Sequence, residues 1–214
     1  MPTAAGVAPE PGSGGEQTPR SHPLVTHAAV LAIALPITLS NATVPLIGFV
    51  DTAVVGQLGV PHLIGGVAIG SVIFSMLYWT FSFLRMGTTG LTAQALGARN
   101  SRDIAGHLLR ALLMALTCGI ALIVLQWPIR SASFWLTGGS PEVLAAATTY
   151  FDIRIWAAPA GLVNFALLGW FIGLGRAGMA FAIQLFLNLM NIALAVVFGL
   201  VFQWGVSGVA WAAL

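Results

Sequence analysis

From Leu31 to Leu214 the sequence is a succession of apolar runs, most of them about 20 residues or longer. That is the length a helix rising about 1.5 Å per residue needs to cross roughly 30 Å of hydrocarbon. Five such runs fall at about 27–57, 63–84, 105–126, 146–174 and 178–203, and a sixth occupies 205–214. The sixth would rise only about 15 Å, half the hydrocarbon layer, so it reads as a helix cut short within a longer protein. Short alternating segments, the mark of a membrane β-barrel, do not occur. With 58% hydrophobic and 7% charged residues, the chain has too little polar surface to cover a water-soluble domain. The expected fold is therefore all-α, a polytopic transmembrane bundle over 23–214. Residues 1–22, rich in Pro, Gly, Ser and Thr, read as a disordered tail. The run after it is too long for a signal-peptide core and reads as a retained helix.

All eight basic residues are arginines. Arg20, Arg85, Arg99, Arg102, Arg110 and Arg176 fall at one set of span ends, Arg130 and Arg154 at the other. The positive-inside rule then places the N-terminus in the cytoplasm. Ser140-Pro141 has the form of an N-cap followed by proline at the first helical position, after the Gly138-Gly139 turn. Arginines this few and scattered make no nucleic-acid surface.

Two motif matches fail on context. Gly173-Leu174-Gly175-Arg176-Ala177-Gly178 fits a dinucleotide fingerprint, but it follows an apolar helix and no acid stands about twenty residues later. Asn41-Ala42-Thr43 fits a glycosylation acceptor inside an apolar span, out of reach of a modifying enzyme. The small-residue pairs Gly66/Gly70 and Gly169/Gly173 are expected to pack helices inside the bundle. Cys118 is the only cysteine, and His22, His27, His62 and His107 share no ligand spacing. No metal, cofactor or enzymatic nucleophile–base pair is expected.

One acid interrupts a long apolar span: Asp51. Glu10 and Glu16 lie in the tail, Asp103 in a loop, and Glu142 and Asp152 on the approach to the fourth helix, where Asp152 and Arg154 are expected to complement each other. An ionisable group inside a bilayer costs about 2.5–3.5 kcal/mol at a helix centre, so its presence calls for a partner, water or a role. Twenty residues of helix from Leu31 already reach about 30 Å, which leaves the interface open as an alternative depth for Asp51. Pro36 and Pro45 permit kinks, and Gly48, one turn before Asp51, leaves room beside it. In the fifth run Gln184, Asn188, Asn191 and Ala195 follow i, i+4, i+7 and i+11, one helix face. Asn164 adds an amide in the fourth. These amides read either as interhelical hydrogen bonds or as cavity lining and partners of the carboxylate.

Three stretches give the chain a family resemblance: ALPITLSNATVPLIGFVDTAVVGQLG, FLRMGTTGLTAQALGARN and YFDIRIWAAPAGLVNFALLGWFIGLGRAG. They resemble the multidrug and toxic compound extrusion family, especially its DinF branch. The resemblance implies the N-lobe of a two-lobe transporter of six plus six helices, with a C-terminal six-helix lobe missing here. It also implies export of organic, amphipathic or cationic compounds across the cell membrane in exchange for H⁺ or Na⁺. Asp51 becomes the ion-coupling residue, and Pro36, Asn41, Gly48, Asn164, Gln184, Asn188 and Asn191 the expected cavity lining. Many relatives carry a second acid where this sequence has Ala195. Sodium would lose an anionic ligand there, so a proton is the expected coupling ion, with Na⁺ second. A lipid-intermediate flippase and an inactive or regulatory truncated fragment are the alternatives. The flippase would require a more cationic cavity.

Overall fold

Prolines, glycines and capping side chains divide the chain into helices. A computed structural model of the protein describes residues 27–57 and 59–214, excluding the side chains of residues 28–30, 32, 33, 36 and 40–47. The disordered-tail expectation for 1–22 lies outside the described residues. Helix α1 is His27–Gly56. Helix α2, Pro61–Thr80, starts on a proline and bends at Phe81 into α3, Ser82–Gly97. Arg99 turns left-handed at φ 54°, Asn100 N–H bonds back to the Ala95 carbonyl at 3.0 Å, and α3 ends. The Asn100 side chain then accepts from the N–H groups of Arg102 and Asp103, capping α4, Ser101–Val124.

Helix α5 is Gln126–Thr137. After Gly138 and Gly139, both at positive φ, Ser140 accepts from Val143 N–H and starts α6, Pro141–Arg154. One tight turn, Ile155–Ala157, leads into α7, Ala158–Gly173. Pro159 has no N–H to give to Ile155, which accounts for the tightening. Helix α8, Ala177–Val196, widens into a π-turn at Val197–Val201 before α9, Gly205–Ala212.

Four stretches among the described residues are long and apolar enough to cross a membrane: Pro61–Gly97, Ser101–Val124, Pro141–Gly173 and Ala177–Val201. Helix α1, at 30 residues, has the length for a fifth. The run expected at 63–84 therefore continues to Gly97, since Phe81 bends the helix without ending it. The fourth begins at Pro141, earlier than the hydropathy of its first turns indicates. Helix α5 has no counterpart among the expected spans. Its Trp127 and Trp135 are exposed, the placing of amphipathic aromatic rings found at membrane–water interfaces.

The long α2–α3 and α6–α7 rods run parallel and close together. A methyl group at Gly66 or Gly70 would strike Ala146 or the Tyr150 ring, and one at Gly169 would sit 2.5 Å from the Arg85 carbonyl oxygen. At Gly173 the corresponding distance to the Thr89 carbonyl is 2.7 Å. Both small-residue pairs thus pack this bundle from within, where lipid offers no hydrophobic drive and close backbone approach supplies dispersion instead. Thr89 Oγ1 donates across the contact to the Gly169 carbonyl at 3.1 Å. Helix α4 lies on α7, with Gly119 against Pro159; α1 packs on α8 and α2; α9 packs on α6. Gly169→Leu is expected to destabilise the protein by about 1–3 kcal/mol through overpacking. A lowered thermal midpoint in detergent would show it, while Leu167→Ala on the same helix, away from the α3 contact, serves as the comparison.

Candidate functional site

Asp51 is 1% exposed, enclosed by the helices around α1, and among the described residues neither carboxylate oxygen accepts a hydrogen bond. A buried charge without hydrogen bonds requires a counter-charge. It has one. Arg154, at the end of α6, brings Nη1 to 4.0 Å from Asp51 Oδ2. The depth of the pair follows from helix contacts. The Gly56 position touches Ile64, and Asp51 lies nearly one and a half turns earlier on α1. Asp51 is thus roughly 12 Å of helix below the level of Pro61, alongside α2 and not beyond its end. Arg154 lies deeper along its own helix, and side chains on an α-helix lean toward its N-terminus, here back toward Asp51.

The guanidinium is embedded in aromatic side chains. Its carbon is 5.2 Å from the centre of the Phe74 ring and 5.3 Å from that of Tyr150, and Nη1 donates to Tyr150 Oη. Tyr150 Oη and Ser71 Oγ are 3.3 Å apart, so a line of polar groups runs from Asp51 to α2. The Phe74 and Phe151 rings lie tilted to one another at 5.3 Å, and Tyr78 lies edge-on to Phe165 at 6.0 Å. Glycine at position 70 lets the Tyr150 ring approach α2. The parallel rods thereby set the height at which the charge is held.

This arrangement corrects two expectations. Asp152 and Arg154 do not complement each other: residues two apart on a helix point to opposite sides. Asp152 instead accepts from Arg130 Nη1 at 2.6 and 2.8 Å, joining α6 to α5. Arg154 is likewise no marker of a membrane surface, because its side chain is inside the bundle. Sequence reasoning missed it as a site residue. The available signal was its place thirteen residues into a span that starts at Pro141, and a fourth helix begun at 146 obscured that depth.

The amide stripe of α8 faces protein. Asn188 and Ala195 are buried and Gln184 and Asn191 half-buried, while Phe186, Leu187, Leu189, Met190 and Val196 point outward. Asn164 Nδ2 donates to Gln184 Oε1 at 3.2 Å and Gln184 Nε2 to Asn188 Oδ1 at 2.8 Å. Asn191 Nδ2 donates to the Ala212 carbonyl of α9 at 2.9 Å, leaving its buried Oδ1 without a hydrogen-bond partner among the described residues. None of the four amides bonds to Asp51, so the structure does not pair them with the carboxylate. The Gly48 carbonyl accepts from Thr52 Oγ1 at 2.8 Å, and among the described residues no atom lies within 4 Å of where a Cβ would be. The side chains of Pro36 and Asn41 lie outside the described residues. Two stability measurements test these contacts. Gln184→Leu, which removes both amide bonds, is expected to cost about 1 kcal/mol. Asp51→Asn and Arg154→Gln are each expected to lower the thermal midpoint, and combining them to cost less than their sum by about 1 kcal/mol.

Comparison with known proteins agrees with this architecture. The model of the MatE family matches residues 36–197. DNA damage-inducible protein F of Escherichia coli is 43% identical over 86% of this chain and 40% of its own length. A probable multidrug resistance protein NorM of Neisseria meningitidis serogroup A is 29% identical over 78% of this chain and 36% of its own length. The chain thus spans well under half of these relatives. A crystal structure of MATE in the bent conformation superposes with a TM-score of 0.81 at 22% identity, covering 86% of this chain and 41% of that one. A MOP superfamily transporter from Pyrococcus furiosus gives a TM-score of 0.77 at 22% identity over 86% of this chain and 41% of its own. At that identity the likeness concerns fold. With the family model matching most of its length, the chain belongs to the MatE family, whose members here include multidrug resistance transporters of the membrane.

Proposed function

We propose that this chain is the N-terminal lobe of a secondary active antiporter that exports organic, amphipathic or cationic compounds in exchange for protons, completed by a second six-helix lobe. The observation that carries the reading is Asp51, a buried carboxylate with no hydrogen-bond donor among the described residues and one guanidinium nearby. Ionised, it makes a neutral pair with Arg154. Protonated, it leaves the arginine's charge uncompensated. Each proton bound therefore raises the lobe's internal charge by one and disfavours a cationic substrate close by. Substrate and proton exclude each other through this charge, with no shared ligand atom.

Energetically one titrating site is adequate. One charge moving through 100 mV supplies about 2.3 kcal/mol, enough for accumulation of roughly 50-fold. The orientation rests on the arginines. Arg99, Arg102 and Arg176 are exposed at the Gly97 end, where α1 begins, while Arg130 at the other end is paired with Asp152. With Arg154 removed from the count, the excess favours a cytoplasmic N-terminus in the cell membrane. A lipid-intermediate flippase would use intramembrane cations to hold anionic headgroups, and the guanidinium of Arg154 is already neutralised by Asp51.

The complete transporter, reconstituted in liposomes with ethidium as a fluorescent cationic probe, provides the test. Wild-type protein is expected to move ethidium when a pH gradient is imposed, and Asp51→Asn to reduce that rate to the level of empty liposomes. Undiminished pH-driven transport by the variant would refute the role given to Asp51.

A further inference from the structure

The cation beside Asp51 is held independently of Asp51. The faces of Phe74 and Tyr150, at 5.2 and 5.3 Å, and the hydroxyl of Tyr150 keep the guanidinium in place whether or not the carboxylate is ionised. Arginine stays charged throughout. Any ion that reaches Asp51 therefore binds beside a resident positive charge, 4.0 Å from Oδ2.

A proton and a metal cation meet this neighbour differently. A proton forms an O–H bond on one carboxylate oxygen and needs no further ligands. Sodium, a hard cation, needs several oxygens at once and brings its whole charge to within a few ångströms of the guanidinium. Among the described residues packed around Asp51 no second unpaired anion offsets that repulsion. Among the described residues, α8 and α9 carry no ionisable side chain, and Ala195 stands on the inner face of α8. On α2 the titratable groups are His62 and Tyr78, the latter within electrostatic range of Arg154. On α6 they are Glu142, exposed at the helix start, Tyr150, and Asp152, already held by Arg130. Helix α1 itself adds only His27, at its far end.

We propose that Arg154 determines ion selectivity: it is a fixed internal cation that admits H⁺ to Asp51 and excludes Na⁺. The proposal rests on the reading of Asp51 as the coupling carboxylate. It assigns Arg154 a positioning and selectivity role distinct from filling space, because the charge and not the shape is what matters.

The test uses the complete transporter in liposomes, with ethidium as probe and a pH gradient imposed in either sodium or choline chloride. Wild-type protein is expected to run at the same rate in both salts. In Arg154→Gln, Na⁺ is expected to compete with protons, its apparent affinity rising by at least about tenfold. Arg154→Lys, which retains the charge, is expected to remain indifferent to Na⁺. Radioactive sodium binding to the purified protein keeps the test readable when a variant transports poorly: Arg154→Gln should bind Na⁺ saturably, and Asp51→Asn/Arg154→Gln should not. Three results overturn the proposal: wild-type transport driven by a Na⁺ gradient, Arg154→Gln protein that neither binds nor responds to Na⁺, or equal losses in the Gln and Lys variants without Na⁺ binding. Failure of Asp51→Asn to abolish pH-driven transport overturns the underlying reading instead, so the two failures are told apart.

Discussion

The close parallel approach of the α2–α3 and α6–α7 rods is the contact on which the rest of the lobe depends. Glycines at 66, 70, 169 and 173 remove the side chains that would hold the rods apart, and three of these positions have backbone atoms of the facing helix within about 3 Å of where a Cβ would stand. The approach fixes the axial register of the two rods. Because α2 and α6 both begin with proline near one level, the register brings Phe74 of one rod beside Tyr150, Phe151 and Arg154 of the other.

That register turns a sequence with few charges into a site. Asp51 comes from α1, which packs on α2 and α8, and Arg154 from the end of α6. Neither charge would be affordable alone at this depth; together they form a neutral unit with an aromatic wall on the arginine side. The pair is loose, at 4.0 Å, and the carboxylate keeps both oxygens free of hydrogen bonds among the described residues. A tight bidentate pair would resist protonation. A loose one leaves an oxygen available, which suits a group that must gain and lose a proton within each cycle.

The amides of α7 and α8 divide between two tasks. Asn164, Gln184 and Asn188 form a chain linking α7 to α8, while Asn191 ties α8 to the end of α9 beyond the π-turn. In a bilayer such bonds hold helices in place where apolar contact is no better than lipid. Their inward position gives them access to the interior, while these bonds join them to each other and to the backbone.

Periodicity and composition by themselves determined that the chain is built of membrane-length helices, where most of them lie to within a turn or two though not the continuation of the second to Gly97, that α8 has one polar face, and that Asp51 is the acid out of place. Each is a local property, set by helix length, hydropathy and spacing along one element. Family membership was also legible, because the helix-one, post-helix-two and helix-four motifs survive as contiguous stretches. Arg154 was not legible as a site residue. Its meaning depends on which way a side chain two positions from Asp152 points and on what a different helix places opposite it, and one-dimensional spacing carries neither. The same holds for α5, too short and too mixed to register as a span, which draws Arg130 to Asp152 and thereby leaves Arg154 free to face Asp51. Sequence named the carboxylate; only the packing of α1, α2 and α6 supplied its counter-charge, because a buried ion pair belongs to the contact between helices and to neither helix alone.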